Sequence, residues 1–87
     1  MVGLKPVRLT EHARLQSEER GTCLAEIVEA IRRGERELAR HGRWAYRLNL
    51  QFAGTWMGKH YEVKQVVPVV AEEVQELVVI TVYTFYF

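Results

Sequence analysis

Two periodicities divide the chain. Up to about Gly34 the apolar positions recur at helical spacing, and from Arg43 onwards they alternate one by one. Leu24, Ile27, Val28 and Ile31 stand at i, i+3, i+4 and i+7, the apolar stripe of an amphipathic helix. Thr22 is placed to cap its start. The stretch before it, "LTEHARLQSEERG" from Leu9 to Gly21, is poor in apolar side chains yet carries helix punctuation. Thr10 suits an N-cap, Glu11 complements the positive end of the helix dipole, and Gly21 supplies a left-handed stop after about Arg20. Val7 to Leu9 reads as a short strand ahead of that helix. Gly34 interrupts the second helix. "GERELARHGR" then reads as a frayed extension or a solvated loop, with Glu35, Arg36, Glu37 and Arg40 forming a wet surface.

In "RWAYRLNLQF" the residues Trp44, Tyr46, Leu48, Leu50 and Phe52 alternate with Arg43, Ala45, Arg47, Asn49 and Gln51, which predicts a strand with one dry and one polar face. "AGTWMGKH" reads as a turn whose Trp56 and Met57 either fold back onto the core or touch a partner. A second strand follows from about His60 to Val70, and Pro68 places its far end on an edge or at a bulge. "AEEVQE" is a connection, and "LVVITVYTFYF" closes the chain as a third, long strand. The expected fold class is α+β, with two N-terminal helices packed on one face of an antiparallel sheet of three to four strands.

Alternation also says what the other face carries. Arg43, Arg47, Asn49 and Gln51 belong to it on the first strand, and His60, Glu62 and Lys64 on the second. On the third, Val78, Ile80 and Val82 are assigned to the core, and Thr81 with Tyr83 to the open face. Arg47, Glu62, Lys64, Thr81 and Tyr83 would then share a concave surface. Cations for developing charge, a carboxylate or imidazole for proton transfer and hydroxyls for orientation suit phosphate chemistry. Cross-strand pairing on a solvated sheet face explains the same pattern without chemistry.

The chain has 87 residues, enough for one domain (1–87), and its hydrophobic share of 48% is that of a globular protein. A formal charge of +1 lacks the broad basic excess of a dedicated nucleic-acid binder, but leaves room for a local basic strip. The single Cys23 excludes an internal disulfide, and at the start of the second helix it reads as a buried or inert thiol. His12, His41 and His60 are scattered without metal-ligand spacing, so neither a metal nor another cofactor is expected. No signal-peptide pattern or membrane-length apolar run is present, and the expectation is a cytoplasmic protein away from the membrane. His12, in the first turn of its helix, would be kept neutral by the dipole and would then suit a general base, but an exposed or capping histidine is the simpler reading. Arg20 lies about 12 Å further along the same helix, too far to share a small ligand with it. The uncharged last strand needs pairing or cover, which points to a homodimer or another protein partner.

The series "LTEHARLQSEERG", "AEIVEAIRRGE" and "VVITVYTF" resembles a small bacterial family of uncharacterised domains. The matching positions are His12, Ala13, Arg14, Arg20, Gly21, Gly34, Glu35, Ile80, Thr81, Val82 and Tyr83, spread from about Leu9 to Tyr83. That family is similar in layout to RelE-type toxins and to metal-independent ribonucleases such as barnase and the colicin nucleases. The resemblance implies a RelE-like fold whose open sheet face engages RNA, and a toxin-type endoribonuclease, in some members paired with a cognate protein. It would make His12 the acid or base, Arg20 a phosphate contact and Thr81 a supporting hydroxyl. Within that expectation Glu62 is the counterpart of His12, Arg47 and Lys64 are the transition-state cations, and Tyr83 is a further RNA contact. The competing expectation is a non-catalytic interaction module.

Overall fold

The computed structural model describes residues 5–87. Strand β1 (Val7–Leu9) leads into helix α1 (Glu11–Glu19), which Thr10 opens by accepting the Ala13 amide at 3.1 Å. The helix ends at Arg20, and Gly21 takes a φ of 73°. Helix α2 (Leu24–Arg33) is capped by Cys23 rather than Thr22, and the Glu26 carboxylate reaches back to the Cys23 amide at 3.4 Å. Thr22 is instead buried, its hydroxyl 2.6 Å from that of Thr84, while Cys23, read as a buried or inert thiol, is exposed. Ile27 and Ile31 carry the apolar stripe together with Ala30, but Leu24 is left in solvent.

The segment read as frayed helix or loop is ordered. It forms strand β2 (Glu35–Leu38) and a 3-10 turn (Arg40–Gly42), then strand β3 (Trp44–Trp56). All four β2 residues are exposed, so no apolar alternation marks them, and their charges suit a sheet edge. Gly34 makes the exit from α2. A Cβ there would stand 2.5 Å from the Ala30 carbonyl oxygen and 2.8 Å from that of Arg47. Both are backbone atoms fixed by helix and sheet. Gly34→Ala is therefore expected to cost about 1–3 kcal/mol, measured as a lower urea midpoint at unchanged slope.

β3 runs on to Trp56, and only Met57 and Gly58, at φ of 51° and 81°, make the hairpin turn into β4 (Lys59–Glu72). Trp56 folds back and stacks on Tyr86, and Met57 stays in solvent. β5 (Leu77–Tyr86) follows. The strand order is β1-β5-β4-β3-β2, with β1 parallel to β5 and the other pairs antiparallel. The fold is α+β as expected, but the sheet is mixed and five-stranded. Both helices lie on one face, where Ala13, Ile27, Ala30 and Ile31 pack against Val66, Val70, Val79 and Val82. Among the described residues, no helix is long and apolar enough to cross a membrane.

Pro68 lies on a central strand, not an edge. It sits opposite Val82 beside a bulge, where Val69 pairs Thr81 but Val70 pairs Val79, leaving Ile80 without a partner. The extra residue changes the parity of β5. Val79 therefore joins Val82 against the helices; of the expected core triplet of Val78, Ile80 and Val82, Val82 keeps its place, Val78 is buried outside that cluster and Ile80 is half-buried.

α1 has a task that explains its polarity. The Thr10 amide donates to Val79 O at 3.0 Å and the Thr10 hydroxyl to Ile80 O at 3.3 Å. Gln16 Oε1 accepts the Val82 amide at 3.1 Å, and Arg20 Nη1 donates to Val82 O at 2.5 Å. The helix thus caps the edge of β5 where β1 stops covering it.

Candidate anion-binding face

The face away from the helices is built by alternation. Arg47, Asn49 and Gln51 from β3 stand beside Gln65, Val67 and Val69 from β4, then Phe85, Tyr83 and Thr81 from β5. Arg47 Nη1 donates to Gln65 Oε1 at 2.7 Å, and Gln65 Nε2 donates to Asn49 Oδ1 at 2.8 Å. Arg47 also pairs with Glu37 at 3.1 Å, so its charge is already answered.

Lys64 does not belong to this face. It pairs with Leu50 in the helix-covered layer and is 7% exposed. Its Nζ donates to Gly21 O and to Glu26 Oε1, both at 2.8 Å. The expected open set of His60, Glu62 and Lys64 fails partly because β4 is bulged: the amides of Glu62 and Val63 both bond to Phe87 O, at 2.8 and 3.1 Å. Tyr61 consequently joins the aromatic group on the helix side, 5.6 Å from the Tyr86 ring. Glu62 is exposed and holds His60 Nε2 at 2.7 Å.

His12 is exposed in the first turn of α1. Thr10, two residues before it, is fixed at Val79 and Ile80, whereas Glu62 is fixed at Phe87. The strand between these levels spans roughly 20–25 Å. His12 and Glu62 are not brought to a common site.

Thr81 and Tyr83 are brought together with Arg43, which the alternation also placed on this face, and with loop residues that carry no periodic signal. The loop after β2 bends over the open face, and its Ala39, Arg40, His41 and Arg43 line a depression of about 300 Å³ with Val69, Thr81 and Tyr83. His41 and Gly42 take left-handed conformations, φ 61° and 69°, which turn the loop back on itself. Among the described residues Arg40 and Arg43 make no ion pair. Arg20 approaches Tyr83 from the strand edge, its guanidinium 5.5 Å from the ring centroid. The Thr81 hydroxyl donates to Gln16 Oε1, anchoring it to α1.

The site is therefore an open cationic hollow around a phenol, a hydroxyl and an imidazole. Arginine forks supply paired donors suited to phosphate oxygens, and His41 sets an imidazole beside them. No group of three or more potential metal ligands occurs among the described residues. No protein-family model matches the chain, and no curated protein or solved structure matches it significantly.

Proposed function

We propose that the open face binds RNA through its phosphates, with Arg40, Arg43 and Arg20 gathered around Tyr83. The observation that carries this reading is the convergence of Arg40 and Arg43, free of carboxylates, on the hollow that Thr81 and Tyr83 line. The formal charge of +1 is compatible with it, because most cations elsewhere are spent in pairs. Lys5 meets Glu72, Arg8 meets Glu76, Arg14 meets Glu11 and Glu18, and Arg33 meets Glu29. Arg8 holds the Glu76 carboxyl below its ordinary value, and Lys5 does the same for Glu72.

The fuller form of the reading is a toxin-type endoribonuclease of RelE-like layout. Attack by the 2′-hydroxyl needs one group to take a proton and another to return it. His41 is the histidine beside the arginines and Thr81, and this reading assigns it the proton transfer in place of His12 with Glu62. The non-catalytic alternative, a module that binds a second copy or a cognate protein, has one observation of its own. β5 directs the backbone of Thr84 and Tyr86 outward, beyond the reach of the α1 caps at Val82.

Titrating a labelled single-stranded RNA at several salt concentrations tests the binding. Replacing Arg40 and Arg43 together by glutamine is expected to weaken it about tenfold at low salt. The logarithmic salt slope should also become shallower by about 1.4, since each phosphate contact contributes about 0.7 for single strands. Unchanged affinity and slope would overturn the reading. Incubating RNA with wild type, His41→Ala and His12→Ala then tests cleavage, with loss expected in His41→Ala alone.

A further inference from the structure

Resting on the RNA-binding reading above, we infer that the partner is single-stranded RNA, whose bases stack on a row of three rings, Tyr83, Phe85 and Phe87. Tyr83 and Phe85 occupy alternate positions of β5, and Phe87 continues the alternation just past its end. Tyr83 stands opposite Val67 and Phe85 opposite Gln65, while the Phe87 amide donates to Val63 O at 2.9 Å. Their exposures are 45%, 44% and 63%, high for rings on the face of a sheet.

The two faces treat their aromatic rings differently. On the helix side Phe52, Trp56 and Tyr61 all lie within 5.0 to 5.6 Å of the Tyr86 ring, so those rings satisfy one another. Tyr83, Phe85 and Phe87 make no ring–ring contact among the described residues, and the one group over a ring is the cation of Arg20 at Tyr83. Beside the row, the Arg47–Gln65–Asn49 hydrogen bonds hold a level polar floor.

Spacing and charge select the occupant. Alternate strand residues are about 6.8 Å apart, of the order of one stretched nucleotide. In a duplex the bases of each strand follow at about 3.4 Å and are turned inward, so they cannot reach successive rings. The arginines stand at the Tyr83 end, where they would meet phosphates while the bases lie along the row. A protein partner would cover the same rings but has no need of three arginines beside them. Stacking is sequence-tolerant because every base presents a π-face.

The experiment uses single-stranded RNA carrying 2-aminopurine, the same sequence as a duplex, and inorganic polyphosphate as a polyanion without bases. The single strand is expected to bind about tenfold more tightly than either of the others, with 2-aminopurine fluorescence quenched on binding. Phe85→Leu is expected to weaken single-strand binding about tenfold and reduce the quench, leaving the salt slope unchanged. Phe87→Leu, at the more exposed ring, provides the same comparison should Phe85→Leu lose its native circular dichroism. Equal binding of polyphosphate and single strand, without quenching or an effect of either leucine, would overturn the stacking row and leave the anion site standing. Absence of binding to all three would remove both.

Discussion

Lys64→Met is expected to destabilise the protein by about 3 kcal/mol, the lower end of the cost of orphaning one member of a buried ion pair. The lysine ammonium is shared between the two helices. It donates to Gly21 O, at the carbonyl-rich end of α1, and to Glu26, in the first turn of α2. Both contacts have the favourable sign, a cation at a helix C-terminus and a carboxylate at an N-terminus. The Phe52 ring lies beneath it, 5.4 Å from Nζ. Methionine keeps the apolar stem but leaves the Gly21 carbonyl without that donor and Glu26 without its cation. Glu26 remains a quarter exposed, which is why the lower end of the range applies. Glu26→Gln retains an oxygen acceptor and should cost less, while Lys64→Met combined with Glu26→Leu should recover part of the loss. Urea unfolding checks all three. A cost below about 1 kcal/mol, the range of an exposed ion pair, would show that Lys64 does not join the helices. RNA binding by folded Lys64→Met should keep its salt slope, because this lysine is not on the open face.

What the sequence disclosed follows from how each signal is written. Thr10, Gly21 and the Trp44-to-Phe52 alternation act through local geometry, and each stands where its chemistry places it. β2 left no trace because a strand exposed along its whole length needs no apolar rhythm. Face assignments on β4 and β5 were unsafe because parity survives only while the ladder is regular. The double-bonded amides of Glu62 and Val63 and the extra residue at Ile80 each interrupt it. Lys64 escaped for another reason: polarity suggested solvent, whereas two helix ends recruit its charge into the interior. Within the candidate site, Arg47, Thr81 and Tyr83 were legible from alternation. So was Arg43, the first open-face position of the same alternation; Arg40 and His41 were not, since a loop that bends back over a sheet carries no period. Several residues behind the family resemblance meet in the α1–β5 seam, where Arg20 bonds Val82 O and Thr81 bonds Gln16. That seam gives Arg20 and Thr81 structural work that does not depend on any reaction.

Gly21→Ala is the second large expected loss, about 3 kcal/mol from two sources. A left-handed backbone costs an L-residue about 1–2 kcal/mol, and overpacking adds about 1–3 kcal/mol. At φ 73° the alanine Cβ would stand 2.6 Å from a Trp56 ring carbon and 2.6 Å from the Tyr86 hydroxyl. Neither neighbour can retreat freely. The Tyr86 hydroxyl donates to Arg20 O at 2.7 Å, and burial, then the nearby Glu26 charge, pushes its pKa up, so it stays a donor. Trp56 is stacked on the same ring, with centroids 5.0 Å apart and planes 11° from parallel. Gly42 supplies the control, because it has a similar φ of 69° with nothing within 4 Å of its would-be Cβ. Gly42→Ala should therefore show the backbone cost alone, and the difference between the two alanines measures the steric part. Combining Gly21→Ala with Trp56→Leu should cost less than the sum of the single changes, because the smaller side chain removes the ring contact and leaves only that with the Tyr86 hydroxyl. Equal losses at Gly21 and Gly42 in urea unfolding would mean that the glycine is only a helix stop. A larger loss at Gly21, with the near-ultraviolet signal of Trp56 altered, would show that the turn between the helices is held shut by the last strand. The same displacement would move Arg20 away from Tyr83, so RNA affinity should fall with stability in this variant.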